Sequence, residues 1–242
     1  MNIIAHRGAS GVAPENTIEA FKKAIEYPID GIEVDIHLSK DSIPVLIHDE
    51  KIDRTTNGQG YVKDYTFEQL QQFDASNKKE GYQNCKIPSL EQLFQLVQNT
   101  NIHLYLELKT DYFFYEGIEK IVYDLVSKYH LQDRVSYSSF NHQTLKRMKI
   151  LDESVRIGFL YEGIMDQPVE YVKARNGYAI HPKHTSLQIK NYVQDAINEN
   201  LFINVWTVNK VEMIQECLNL GVTGIFTNYP DLALKIRNKK SN

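Results

Sequence analysis

Eight times along this 242-residue chain, a short run of aliphatic and β-branched residues is followed by a stretch with apolar residues at helical spacing. The strand-like runs cover 2–5, 31–38, 103–109, 134–139, 155–160, 178–181, 202–206 and 224–227. Helical stretches cover 17–27, 89–98, 117–129, 141–149, 168–175, 187–199, 210–219 and 231–237. In the first of these, Ile18, Phe21, Ala24 and Ile25 share one face. The second opens with Pro88 and with Ser89 and Gln92 at capping-box spacing. Eight such units predict an α/β fold, a (β/α)8 TIM barrel occupying 1–242 as one domain. An open doubly wound sheet is the competing arrangement, but no Gly-x-Gly-x-x-Gly turn follows the first strand.

One segment breaks the alternation. A ninth strand-like run, 43–47, is separated from 31–38 by only residues 39–42. A parallel crossover needs about a dozen residues, so these runs are expected to pair as an antiparallel hairpin. Residues 49–87 read as irregular, with Asn57-Gly58 and Gly60 as turn signals and a short helix at 67–73. The span 43–87 is expected as a small insertion after the second strand, standing above the barrel mouth, since long loops are uncommon unless functional.

Composition narrows the function classes. A formal net charge of −4 leaves no basic footprint for nucleic acid. The opening residues lack a signal-peptide pattern, and no apolar run approaches the roughly 18–20 residues of a membrane span. A cytoplasmic protein without stable membrane insertion is expected, with Cys85 and Cys217 as free thiols. The pattern specifies no oligomeric state.

The chemistry lies in the strand alternation. In 31–38, Ile32, Val34, Ile36 and Leu38 share one face, and Glu33, Asp35 and His37 the other. In 103–109, Leu104, Leu106 and Leu108 oppose Tyr105, Glu107 and Lys109. A parallel barrel strand is covered on both faces, so these charges need partners or a cation. Catalytic groups of this fold sit at the C-terminal strand ends, where Glu33, Asp35 and Glu107 converge. Oxygen-only ligands suit one divalent cation, Mg²⁺ or Ca²⁺. The alternative is a metal-free network paired with Arg7 and Lys109.

If 40–42 forms the hairpin turn, residue numbers across the ladder sum to about 81–83, which returns His48 opposite 33–35. The alternative is a surface histidine capping the short strand. The first strand ends in His6-Arg7-Gly8. Arg7 can fork onto a phosphate or carboxylate, or form a structural ion pair with Glu15 or Asp35. Trp206, Thr207 and Asn209 close the seventh barrel strand, Thr227 and Asn228 the eighth, and Phe140 follows 137–139. His181 and His184 lie near a strand end without an evident acidic partner and receive no role. The aromatic run 112–115 reads either as a lid or lipid contact at the mouth, or as a helix start packed on its neighbours. Asp111, Glu116 and Glu119 beside it argue against a membrane surface.

Two histidines, one or two cations and a metal-type carboxylate cluster suit attack at phosphorus, one histidine taking the nucleophile's proton and the other protonating the leaving alkoxide. The ordered motifs His6-Arg7-Gly8, Pro14-Glu15-Asn16-Thr17, Glu33-Val34-Asp35 with His37, His48-Asp49, Arg54-Thr55-Thr56, Glu107-Leu108-Lys109, Trp206-Thr207-Val208-Asn209 and Thr227-Asn228 resemble those of the glycerophosphodiester phosphodiesterases. The resemblance runs from residue 6 to 231. It implies a (β/α)8 barrel with an insertion, metal ligands Glu33, Asp35 and Glu107, and an acid–base pair His6 and His48. It also implies substrate contacts from Arg7 and Lys109, with Trp206 added as a further candidate. The implied reaction cleaves glycerophosphodiesters such as glycerophosphocholine or glycerophosphoethanolamine to glycerol 3-phosphate and an alcohol. The neighbouring glycerol hydroxyl or water is the nucleophile. A related barrel acting on lysophospholipids or sphingomyelin, and a non-catalytic phosphodiester-binding barrel, are the other two readings. Asn228 stands where some members of that family carry Asp.

Overall fold

A computed structural model describes residues 1–240. Its strands are β1 (Asn2–His6), β2 (Gly31–Leu38), β3 (Pro44–Leu46), β4 (His103–Leu108), β5 (Val135–Ser139), β6 (Ile157–Tyr161), β7 (Ala179–Pro182), β8 (Phe202–Val205) and β9 (Gly224–Thr227). The helices are α1 (Ile18–Ile25), α2 (Phe67–Leu70), α3 (Leu90–Val97), α4 (Ile118–Lys128), α5 (His142–Leu151), α6 (Pro168–Lys173), α7 (Tyr192–Asn198), α8 (Val211–Leu220) and α9 (Pro230–Lys240). Eight strands form a closed parallel ring in the order β1, β2, β4, β5, β6, β7, β8, β9, with β9 returning to β1. This is the expected (β/α)8 barrel. β3 is the extra strand, antiparallel to the end of β2, with Ile36 opposite Leu46 and Leu38 opposite Pro44. Those pairs carry the ladder sum the hairpin turn predicts.

The alternation along β2 and β4 explains where the core lies. Ile32, Val34, Ile36, Leu104, Leu106 and Leu108 join the large apolar cluster between strands and helices. The ring's interior is filled near its centre by Ile4, Tyr105 and Phe226, with Trp206 packed on them. A second, separate cluster belongs to the insertion: Val45, Ile47, Ile52, Val62, Leu70, Ala75 and Ile87. Cys85 and Cys217 are free and buried. Among the described residues no helix is long and apolar enough to cross a membrane.

Several expected boundaries shift for local reasons. The stretch 187–199 is not one helix but a 3₁₀ turn, His184–Gln188, followed by α7, because Asn191 adopts a left-handed backbone between them. The helix at 67–73 closes after one turn, and Asp74 then donates its amide to the Asn57 side chain. The run 112–115 starts no helix: α4 begins at Ile118, after Gly117 at φ 78°. β6 starts at Ile157 rather than 155, and Trp206 lies just beyond β8.

α3 shows how sequence becomes packing. The reciprocal bonds between Ser89 and Gln92 close its N-terminus, and Leu90, Leu93, Phe94 and Val97 are buried. Replacing Phe94 with Ala is expected to cost ~3–5 kcal/mol through transfer and cavity terms, and Ser89→Ala ~1 kcal/mol through the lost cap. Urea unfolding of both variants checks the ranking; equal losses would contradict the packing described.

Candidate active site

The site is assembled at the C-terminal ends of β1, β2 and β4. Register sets it: His6 lies beside Glu33 on the β1–β2 ladder, and Asp35 beside Glu107 on β2–β4. The Arg7 amide donates to the Glu33 carbonyl at 3.0 Å and reaches the Glu33 carboxylate at 3.1 Å. Arg7 itself is left-handed, as is Gly8, at φ 79°. A Cβ on Gly8 would meet the Ala20 backbone at 2.7 Å, so only glycine lets the chain turn against α1 here.

Oxygens of Glu33, Asp35 and Glu107 all lie within 4.8 Å of one another, and all three side chains are buried. Burial, then the charges of Asp35 and Glu107, push Glu33 well above the ordinary carboxylate range. Burial also raises Glu107, against the pull of Lys109. Burial opposes ionisation of Asp35 too, but Arg7, His48 and Lys109 hold it well below the usual range. Glu33 Oε1 and Asp35 Oδ1 have no hydrogen-bond partner in this buried setting. Orphaned oxygens on a crowded acidic triad are what a hard divalent cation satisfies, so the residues fit Mg²⁺ or Ca²⁺.

The two basic residues occupy both positions considered for them. Arg7 pairs with Asp35 and with Glu15, each at 3.0 Å, and Lys109 bonds Glu107 at 2.9 Å. Both also line a cavity of about 320 Å³, together with His6, His48, Glu33 and Glu107. His6 is held by Asn228, whose side-chain oxygen accepts from Nδ1 at 2.7 Å. Asn228 is fixed in turn by its own amide bond to Asn209. With Nδ1 donating, His6 Nε2 is left as an acceptor, and burial followed by Arg7 pushes the imidazolium down to about 3.

His48 meets the carboxylates as the hairpin predicts, but its orientation depends on residues the sequence named without a role. Its Nδ1 lies 2.6 Å from Asp49. Arg54 forks onto Asp49 through Nε at 2.7 Å and onto Glu15 through Nη1 at 2.8 Å. The sequence Asp35, Arg7, Glu15, Arg54, Asp49, His48 is therefore one chain of alternating acidic and basic side chains from the barrel mouth to the insertion.

His37 shares the carboxylates' strand face but takes another job. Its Nε2 donates to the His48 carbonyl at 3.1 Å, so its Nδ1 accepts from the Tyr115 hydroxyl at 3.0 Å. Tyr115 thus ties the 112–115 loop to the hairpin, Phe113 packs edge-on against Tyr61, and Tyr112 and Phe114 are exposed.

The opposite half of the cavity is aromatic. Trp206 and Phe140 border it, edge to face at 5.5 Å. The Trp206 indole N–H donates to the His181 carbonyl at 2.8 Å. His181, given no role from sequence, borders the cavity and is fully buried, which pushes it down to about 3. Its ring fits because residue 158 is glycine; a Cβ there would come within 2.4 Å of it. His184 does have an acidic partner, Glu216 at 3.1 Å. That residue comes from α8, beyond the reach of local spacing.

A parallel barrel whose mouth joins an acidic triad, two oriented histidines and two fixed cations belongs to the class of barrel phosphodiesterases. Residues 6–232 match the model of the glycerophosphoryl diester phosphodiesterase family. A glycerophosphodiester phosphodiesterase of Caldanaerobacter subterraneus is 37% identical over 98% of both chains. One of Bacillus altitudinis is 40% identical over 97% of both. A phosphodiesterase of Oleispira antarctica, solved with the product sn-glycerol-3-phosphate, superposes with a TM-score of 0.92 at 28% identity, covering 98% of this chain and 97% of that one. The chain belongs to this family, and with it to the phosphodiester-hydrolysing enzymes.

Arg54 joins the two halves of the charge chain, so Arg54→Ala is expected to lower kcat/KM by about 10²-fold through misplacement of His48. Arg54→Lys, which keeps the charge without the fork, should recover only part of it. Steady-state kinetics with unchanged circular dichroism checks this; a loss under threefold would show that Asp49 holds His48 unaided.

Proposed function

We propose that this enzyme hydrolyses glycerophosphodiesters to sn-glycerol 3-phosphate and a free alcohol, as a cytoplasmic enzyme of water-soluble diesters. The observation that carries the reading is the pair of differently oriented histidines flanking one acidic triad beside Arg7 and Lys109. Glu33, Asp35 and Glu107 would hold one divalent cation, Mg²⁺ or Ca²⁺, which when bound supplies positive charge against the non-bridging oxygens.

The chain's own residues account for the rest. Arg7 and Lys109, anchored by carboxylates, present fixed positive charge to the phosphate without needing to reorganise. His6, donating through Nδ1 to a neutral amide, keeps Nε2 as a proton acceptor for the attacking hydroxyl. His48 is held through Nδ1 by the Asp49 carboxylate, which orients its other ring nitrogen for the role of proton donor to the leaving alkoxide. Either nucleophile, the neighbouring glycerol hydroxyl or water, makes the same demand on this pair. Trp206 forms an apolar wall beside the phosphate position.

Glycerophosphocholine is the first substrate to assay, with glycerol 3-phosphate, choline and phosphocholine measured separately. Release of glycerol 3-phosphate and choline, lost on chelation and restored by Mg²⁺ or Ca²⁺, is expected. Full activity after exhaustive chelation, with no metal retained, would remove the cation from the reading. Phosphocholine as product would reverse the leaving group. His6→Ala and His48→Ala are each expected to lose about 10²–10⁴ in kcat, and near-normal rates in both would reject the acid–base assignment.

A further inference from the structure

We propose that Tyr115 is a positioning residue for His48: its hydroxyl fixes the tautomer of His37, and His37 holds the backbone from which the His48 ring extends. The proposal rests on the reading of His48 as proton donor to the leaving alkoxide, and it adds a residue from outside the hairpin to that task.

His48 lies two residues past the end of β3. Just before it, the Ile47 amide still donates to the Asp35 carbonyl at 3.1 Å. One residue on, a side chain takes over: the His48 carbonyl accepts from His37 Nε2. A carbonyl oxygen can only accept, so His37 must carry its proton on Nε2. In the other tautomer Nε2 turns a lone pair toward that oxygen and repels it. The choice is made at Nδ1, where the Tyr115 hydroxyl donates at 3.0 Å. His37 is buried, which leaves its tautomer to these two protein partners. The Tyr115 ring also meets the His37 ring edge-on at 5.6 Å, which sets the angle at which the hydroxyl arrives.

The same loop grips the insertion a second time. Phe113 packs edge-on against Tyr61 at 5.3 Å. Tyr61 is bridged to Lys51, and the Val62 amide donates to the Glu50 carbonyl at 2.9 Å. The chain leaving His48 is therefore held at its carbonyl and again three residues on, both times by the loop that follows β4. Lys109 stands at the start of that loop. The loop thus joins the phosphate side of the cavity to His48 by a path separate from the Arg54 fork. Asp49 and Arg54 restrain the ring through its Nδ1, while His37 and Tyr115 restrain the backbone behind it.

A buried histidine with two hydrogen bonds could serve the fold alone. The difference lies in the leaving group, because a proton donor matters in proportion to the basicity of what departs. The test compares wild type and Tyr115→Phe on two substrates under one metal condition. One is glycerophosphocholine, whose alkoxide needs a proton. The other is the p-nitrophenyl ester of glycerol 3-phosphate, whose phenolate leaves without one. Tyr115→Phe removes a single oxygen from a half-buried ring and keeps its packing. It is expected to lower kcat on glycerophosphocholine about tenfold with little change in KM, and to leave kcat on the p-nitrophenyl ester within about twofold of wild type. His37→Gln, which can still donate to the His48 carbonyl, should retain more of the glycerophosphocholine rate than His37→Leu. His48→Ala, measured alongside, gives the pattern of a lost proton donor. If His48→Ala spares the p-nitrophenyl ester while Tyr115→Phe keeps the wild-type rate on both substrates, or loses both equally, the proposal alone is overturned. If His48→Ala loses both substrates equally, the proton-donor reading falls and this proposal with it.

Discussion

Crowding three buried carboxylates within 4.8 Å is the constraint the rest of the mouth answers. A carboxylate removed from water must be paired, hydrogen-bonded or protonated. Arg7 supplies the first answer by ion-pairing Asp35, and Asn16 adds a hydrogen bond at 2.9 Å to the same oxygen. Lys109 supplies the second on Glu107. Glu33 receives only the Arg7 backbone amide and a distant histidine, and is the least compensated of the three. The backbone geometry follows from this: Arg7 must turn left-handed for its amide to reach Glu33 while its side chain reaches Asp35, and Gly8 must follow to clear α1.

Much of this was legible because alternation along a strand is a geometric certainty once the strand is right. Glu33, Asp35 and Glu107 could be placed on one inner surface from the period of two alone. His48 came from the hairpin's arithmetic, and the barrel from counting strand–helix pairs. What stayed hidden depends on contacts between distant segments. Asn228 reaches His6 across 222 residues, and its partner role leaves no trace in local pattern. Arg54 looked like part of a motif, but its bridging of Glu15 and Asp49 requires the insertion to fold back over α1's entry.

The run misread as a helix start and the histidine left without a role have a common physical origin. The 112–115 run is as apolar as a helix start, yet its tyrosine hydroxyl is spent on His37 and its glycine at 117 delays α4. His181 sits on a strand too short for its inward position to stand out, and only the absent side chain of residue 158 makes room for its ring. In both cases one small residue elsewhere decides the outcome, and pattern reading weighs small residues least.

The insertion's separate apolar cluster has a consequence for how this enzyme fails. His48, Asp49 and Arg54 ride on a unit whose seven buried apolar residues do not merge with the barrel's core. A cluster that small opens at a lower free energy than a closed eight-stranded ring. Warming is therefore expected to take His48 out of register while the barrel, its far-ultraviolet spectrum and His6 remain in place. Thermal inactivation is expected to precede thermal melting, with the working temperature limit set by the lesser of the two cores.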